Sequence, residues 1–251
     1  MKRDELFFEE LKEMDKEFSG WDFSYVTGTD RIQSGALSWS YGSKVLRLMR
    51  NTESMLDMGT GGGEFLSRLR PLPDYTAATE GYEPNLPVAR DCLEPLGVNV
   101  VQTKEDDILP FEDNRFDLIV NKHESFDPSE VKRVLKPGGT FLTQQVGGLD
   151  CLQINEALHA EENEYKDWNL TEAMNGLKAQ DFKVITSRED YPVQRFFDIG
   201  ALVYYLKAIP WQVPGFNLDD YQDALYSIYG MMKDRGYFEV RQHRFLIQAE
   251  L

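Results

Sequence analysis

Asp57-Met58-Gly59-Thr60-Gly61-Gly62-Gly63-Glu64 is the stretch that decides the fold. It is entered from Ser54-Met55-Leu56 and left through Phe65-Leu66-Ser67-Arg68-Leu69. A short apolar run ends in an acid, bends through glycines and resumes with helical spacing, which reads as strand, tight turn and helix. Glycine accepts positive φ and has no Cβ, so the backbone can pass close to a bound ligand there. The N–H groups opening the next helix would face the same crevice. Asp57 sets a negative charge beside the turn. That charge opposes a pyrophosphate and suits a cationic ligand.

Outward from this turn the chain alternates. Residues 54–58 read as a strand, 64–70 as its helix, 75–79 as a second strand ending at Glu80, and 87–96 as the next helix. Strands over 98–103 and 116–120, a helix over 129–135 and a strand over 140–146 follow. Short apolar strands separated by helices imply βαβ units, hence a doubly wound, mostly parallel α/β sheet with ligands at the carboxyl ends of its strands. Farther on come a helix over 170–179, a strand over 182–187 extending toward Tyr191, helices over 199–209 and 218–233, and a last strand over 237–249. Seven core strands are expected.

Before the core, Phe7, Leu11, Met14 and Phe18 mark one face of an amphipathic helix over residues 4–18, and residues 19–43 read as an irregular approach segment. The expected organisation is an N-terminal helical cap and approach over 1–50 and a core over 51–195. A helical insertion over 196–235, lying between the last two strands, would serve as an acceptor-side lid, and 236–251 would supply the final core strand.

Acids outnumber bases 43 to 27, a net charge of −16. Such a surface disfavours nucleic acid and anionic membranes, whose binding depends on clustered Lys and Arg. Cys92 and Cys151 form no CxxC pair, which suits a reducing compartment. Met-Lys-Arg-Asp-Glu leads into no apolar signal region. The longest apolar stretch, residues 199–209, is broken by Lys207 and closed by Pro210, too short to span a bilayer. A cytoplasmic protein without membrane association is expected, its oligomeric state left open. With no HExxH, GxSxG or Walker A pattern, no metal site is expected.

Taken in order, residues 50–146 resemble the class I, Rossmann-like S-adenosylmethionine-dependent methyltransferases. Asp57, Gly59, Gly61 and Gly63 match the family's acid-x-Gly-x-Gly-x-Gly motif, with Thr60 inside the turn. A dinucleotide-type GxGxxG would need glycine where Glu64 stands, which argues against an NAD-dependent reductase. The resemblance implies an acid at the end of the second strand as acceptor for both ribose hydroxyls. Counting back from Ala89-Arg90 gives Glu80, with Glu83 as the fallback. Glu105-Asp106-Asp107-Ile108-Leu109-Pro110-Phe111 is similar to the segment that meets adenine, implying Glu105 or Asp106 as acceptor of its amino group; Asp107 reads equally as a solvated acid. The 115–121 and Arg133-Val134-Leu135-Lys136-Pro137-Gly138-Gly139 segments match further motifs, the Pro-Gly-Gly being structural, and Asn121 joins the cofactor-binding set.

Acceptor-side residues of this family lie where Asn121-Lys122-His123-Glu124-Ser125 stands. Methyl transfer is an in-line displacement that needs a positioned nucleophile and often a proton acceptor. His123 and Glu124 are the candidates, against the alternative of a packing histidine. Gln144 and Gln145 would hydrogen-bond the acceptor. Among the aromatics of the 196–234 segment, Tyr204 and Trp211 are candidate acceptor contacts, against the reading of a satellite hydrophobic cluster; Tyr25, Trp39 and Tyr41 would close the other side. The implied activity is methyl transfer from S-adenosylmethionine to a small molecule. The alternatives are an RNA or protein methyltransferase, or a non-catalytic S-adenosylmethionine-binding module.

Overall fold

The computed structural model describes residues 5–18, 23–103, 108–161 and 163–251. In chain order the strands are β1 (Ile32–Ser34), β2 (Ser54–Met58), β3 (Tyr75–Glu80), β4 (Asn99–Gln102), β5 (Phe116–Lys122) and β6 (Leu135–Val146). They continue with β7 (Lys183–Asp190), β8 (Val193–Phe196), β9 (Phe238–Arg241) and β10 (Arg244–Glu250). The chain forms two compact units.

The larger unit comprises 38–146, 168–189 and 244–251 and contains a seven-stranded sheet in the order β4-β3-β2-β5-β6-β10-β7. Parallel strands with both faces covered need apolar residues on both faces. All five residues of β2 are buried, as are the last five of β3. β2 lies parallel to both β3 and β5, with Asp57 opposite Ala78 on one side and Val120 on the other. The chain moves from β2 through β3 to β4 in one direction, then returns to β5 and β6 on the other side. That reversal opens a crevice at the carboxyl ends of β2 and β5, the place where open α/β sheets bind ligands. β10 runs antiparallel to β6. Leu56, Phe116, Ile119, Phe141, Leu177 and Phe245 anchor the core on one face of the sheet.

Two local features differ from expectation. The helix after the glycine turn is one turn, Glu64–Ser67, so it adds no extended helix to the crevice. The Pro-Gly-Gly lies inside the span of β6: Phe116 pairs with Leu135 but Leu118 with Thr140, so residues 136–139 loop out of the ladder. Gly138 takes φ 78° there.

The smaller unit comprises 1–37, 147–167 and 190–243, and its antiparallel sheet has the order β1-β8-β9. Every residue of the helix Ile199–Ala208 except Lys207 is buried, so this helix is the centre of a second hydrophobic core with Phe7, Val26, Phe196 and Ile228. The N-terminal helix is Glu5–Leu11, continued by a 3₁₀ turn over Lys12–Asp15. The approach segment is more ordered than its composition suggests, carrying the helix Ser24–Thr27 and β1. The single strand expected over 237–249 is two strands belonging to different sheets, parted at Gln242-His243. There the His243 N–H donates to Asp150 Oδ1 at 2.7 Å instead of to a ladder.

Among the described residues, no helix is long and apolar enough to cross a membrane, and no group of His, Cys, Asp and Glu could hold a metal ion.

Candidate active site

The glycine turn is stitched to the end of β3. The Thr60 N–H donates to Thr79 O at 2.9 Å and the Gly59 N–H to Thr79 Oγ1 at 3.3 Å. Gly59, Gly61 and Gly63 take φ of 65°, 63° and 84°, which side chains rarely adopt. Their surroundings differ. A Cβ on Gly59 would collide with the Glu124 side chain, and one on Gly63 would meet Leu93 at 2.7 Å, whereas none of the described atoms lies within 4 Å of a Cβ on Gly61. The backbone at Gly61 therefore faces open space, a cradle that a side chain would fill.

Two acids flank this cradle. Asp57, at the end of β2, is 4 % exposed, and burial pushes its carboxyl up to about 7. Thr60 and the Lys122 ammonium oppose that rise, while Glu80 adds to it. Glu80 ends the neighbouring strand and is also raised, first by burial, with the backbone N–H groups of Tyr82 and Gly61 pulling it down. The Tyr82 N–H donates to Glu80 Oε1 at 2.7 Å. The sheet thus holds two desolvated carboxyls side by side, an arrangement that favours a cation or hydroxyl donors as ligand.

Opposite Glu80, Asn121 is completely buried at the end of β5. Its Oδ1 accepts from Thr143 Oγ1 at 2.8 Å and Gln145 Nε2 at 2.6 Å, and the Tyr41 hydroxyl donates to its carbonyl at 3.0 Å. Its amide nitrogen has no hydrogen-bond partner among the described residues. A fixed, buried, unused donor is costly unless a ligand takes it. Gln145 also donates to Glu124 O at 2.8 Å, so it holds the segment after β5 in place.

His123 leaves the strand at φ 64°, a conformation of small population for a residue with a Cβ. Its N–H donates to Gln144 O at 2.8 Å. The Trp39 indole N–H, which can only donate, bonds Gln144 Oε1 at 2.8 Å. The amide nitrogen of Gln144 is thereby turned toward His123 Nε2 at 3.0 Å. His123 as a whole is exposed, yet desolvation of its ring, together with Arg244 and Lys122, lowers its pKa. The ring is therefore neutral at pH 7. Lys122 extends over the Phe65 ring, 5.1 Å from its centroid, and Phe65 in turn packs on Tyr41. Glu124 lies against Gly59 and, with Met58, Thr79, Gly81 and Ser125, lines a recess beside the turn.

The larger unit thus brings Asp57, Gly59, Thr60, Gly61, Gly63, Glu80, Asn121, His123, Glu124, Gln144 and Gln145 to the carboxyl ends of its strands. Glu105 and Asp106 lie outside the described residues. Tyr204 and Trp211 belong to the smaller unit, where Tyr204 is 3 % exposed and packs on Phe18 and Tyr25, while Trp211 is 41 % exposed.

Sequence reasoning named Trp39 and Arg133 but passed over what each of them holds. Trp39 fixes Gln144 across 105 residues of sequence, a pairing with no local signal. Arg133 clamps the loop that follows the acidic run, donating to Leu109 O at 2.8 Å and Phe111 O at 2.7 Å, while Glu130 Oε2 accepts from the Leu109 N–H at 2.9 Å. Glu130 and Arg133, one turn apart on Pro128–Val134, also bond each other.

Residues 56–143 match the family described as Methyltransferase domain. None of the curated proteins matches the chain. Among solved structures, a protein of Bacillus halodurans C-125, provisionally described as a methyltransferase, is 20% identical with a TM-score of 0.61, covering 84% of this chain and 99% of its own. A Deinococcus radiodurans R1 protein of unknown function is 14% identical with a TM-score of 0.60, covering 98% and 99% respectively. A Galdieria sulphuraria protein, provisionally described as a sarcosine dimethylglycine methyltransferase, is 16% identical with a TM-score of 0.52, covering 83% and 82%. These likenesses bear on the fold, and the domain match bears on the family. Residues 56–143 thus form a methyltransferase domain, set in a sheet of Rossmann-like order around the glycine turn.

Proposed function

We propose that this chain binds S-adenosylmethionine over the 57–64 turn and methylates a small-molecule acceptor at the carboxyl ends of β5 and β6. The observation that carries the reading is the pair of buried acids, Asp57 and Glu80, on either side of a left-handed glycine cradle open at Gly61. The pyrophosphate of a dinucleotide would meet two carboxyls there, whereas a sulfonium ligand with ribose hydroxyls meets acceptors. When bound, S-adenosylmethionine supplies an electrophilic methyl group.

The chain's own residues then have distinct tasks. Glu80 accepts from the two adjacent ribose hydroxyls, which need one two-oxygen acceptor. Asp57 supplies the anionic end of the cradle. The unused N–H of Asn121, held by Thr143 and Gln145, offers a fixed donor to the ligand's polar end. Gly59 keeps Glu124 pressed against the turn. On the acceptor side, Gln144 and the neutral His123 orient the nucleophile.

A small acceptor is supported by the net charge of −16, which leaves no excess of cations for a polyanion. That the Galdieria neighbour is described as acting on sarcosine and dimethylglycine is in keeping with this. Calorimetry with S-adenosylmethionine, S-adenosylhomocysteine and NAD tests the reading: both adenosyl compounds should bind and NAD should not. Tight NAD binding with no response to S-adenosylmethionine would overturn it.

A further inference from the structure

Two adjacent donors at the carboxyl end of β5 make no hydrogen bond or close ion pair within the described residues. Lys122 is exposed and lies over the face of Phe65; among the described residues no carboxylate comes within ion-pair distance of its ammonium, and Asp57 acts on it only from farther off. The second donor follows from the hydrogen-bond chain behind His123. Trp39 donates to Gln144 Oε1, so Gln144 donates through its nitrogen to His123 Nε2, which must carry a lone pair. The ring proton of the neutral imidazole therefore sits on Nδ1, which makes no hydrogen bond among the described residues. The left-handed backbone of His123, tied by its N–H to Gln144 O, keeps the ring in this setting. Arg244, at the start of β10, adds positive potential at both Lys122 and His123.

Resting on the methyltransferase reading above, we propose that the methyl acceptor is a small molecule bearing a carboxylate or phosphate, whose oxyanion is held by the Lys122 ammonium and His123 Nδ1–H. Both groups are donors, and neither is bonded to a carboxylate within the described residues, although Asp57 acts on Lys122 from farther off. An amide or an alcohol in the same place would accept from them but leave the positive charge of Lys122 uncompensated. The same chain makes Trp39 and Gln144 positioning residues that fix the tautomer. His123 then holds the acceptor by donation and does not remove a proton at Nε2, whose lone pair already receives the Gln144 N–H.

The test uses the full chain saturated with S-adenosylhomocysteine, titrated with benzoate, phenyl phosphate and benzamide, with binding read by calorimetry and the histidine rings by two-bond ¹⁵N–¹H spectra. We expect the His123 spectrum to show the Nδ1–H tautomer and to shift with an anion. At least one anion should bind about tenfold or more tighter than benzamide, the scale of one charge-assisted hydrogen bond. Which anion wins separates carboxylate from phosphate acceptors. Lys122→Met should remove most of that preference while lowering S-adenosylhomocysteine affinity far less, the smaller effect coming through Asp57 of the cradle. His123→Asn, which tolerates the left-handed backbone, should reduce the preference as well. Equal binding of benzamide and both anions, or an Nε2–H tautomer, would overturn the proposal. So would a Lys122→Met variant that loses S-adenosylhomocysteine affinity but keeps anion binding, since the lysine would then serve the cofactor. Failure of the unaltered chain to bind S-adenosylhomocysteine at all would instead overturn the cofactor reading, and is seen before any anion is added.

Discussion

Replacing Asp57 with Asn removes an ionisation that folding makes unfavourable. The folded carboxyl titrates at about 7 against an ordinary value of 3.8, because burial at the end of β2 strips its water. The folded protein therefore holds this proton where the unfolded chain has lost it, and stability falls as pH rises between the two values. About three pKa units correspond to about 4 kcal/mol, an upper figure because water reaching the site softens the penalty. The assay is urea denaturation of the ligand-free wild type and Asp57→Asn from pH ~4 to pH ~8. The stability difference, variant minus wild type, should be smallest at the acidic end, grow by about 1.4 kcal/mol per pH unit, and level off above pH ~7. Saturating S-adenosylmethionine should shrink the difference, since a cation beside the carboxylate favours its charged form. Binding to the wild type near pH ~7 should accordingly release protons, visible as a buffer-dependent heat. A stability difference independent of pH would refute the argument, because it would mean that Asp57 stays ionised in the folded chain.

Gly59→Ala puts a methyl group into the Glu124 side chain at φ 65°, so we expect a loss of about 1–3 kcal/mol in stability with weaker cofactor binding. Adding Glu124→Ala should restore part of the stability, and no restoration would show that backbone strain dominates. Glu80→Gln keeps the shape but not the charge, and calorimetry should show S-adenosylhomocysteine affinity reduced about tenfold or more. Unchanged affinity would take Glu80 out of the ribose role. Arg133→Met removes the donors to Leu109 O and Phe111 O, so hydrogen exchange at the Leu109 amide should quicken while the β2 amides stay protected. Equal exchange at Leu109 in the wild type and Arg133→Met would show that the loop is held by other contacts.

The core was legible because its signals are local. A glycine turn after an apolar run needs no distant partner to be recognised, and strands such as 54–58, buried on both faces, read as continuous apolar runs. The order of motifs then set Asp57, Glu80 and Asn121 at adjoining strand ends, as the sheet has them. The helices of the smaller unit were legible, but its sheet was not, for the opposite reason. Ile32–Ser34 is three residues long and pairs with residues 194–196, a match that no window of sequence contains. The aromatic residues of 196–234 read first as a packed cluster and second as a binding wall, and sequence could not separate the two because either use demands the same side chains. Composition showed the apolar helix Ile199–Ala208 but not that it is enclosed on nearly every side. The left-handed backbone at His123 carried no signal either, since glycine and asparagine are the residues that announce such a turn.

The place of β10 bears on the order in which this chain can be completed during synthesis. It is the last strand in sequence yet lies inside the large sheet, between β6 and β7, while β9 immediately before it supplies an edge of the small sheet. Until residues 238–250 leave the ribosome, β6 has an open edge, β7 lacks the neighbour that joins it to the sheet, and β8 is paired on one side only. Both sheets thus close at the same late moment, through long-range pairings that fold slowly. A nascent chain carrying a finished glycine turn and both of its acids still presents unpaired strand edges, the surface on which growing chains associate wrongly and on which chaperones act.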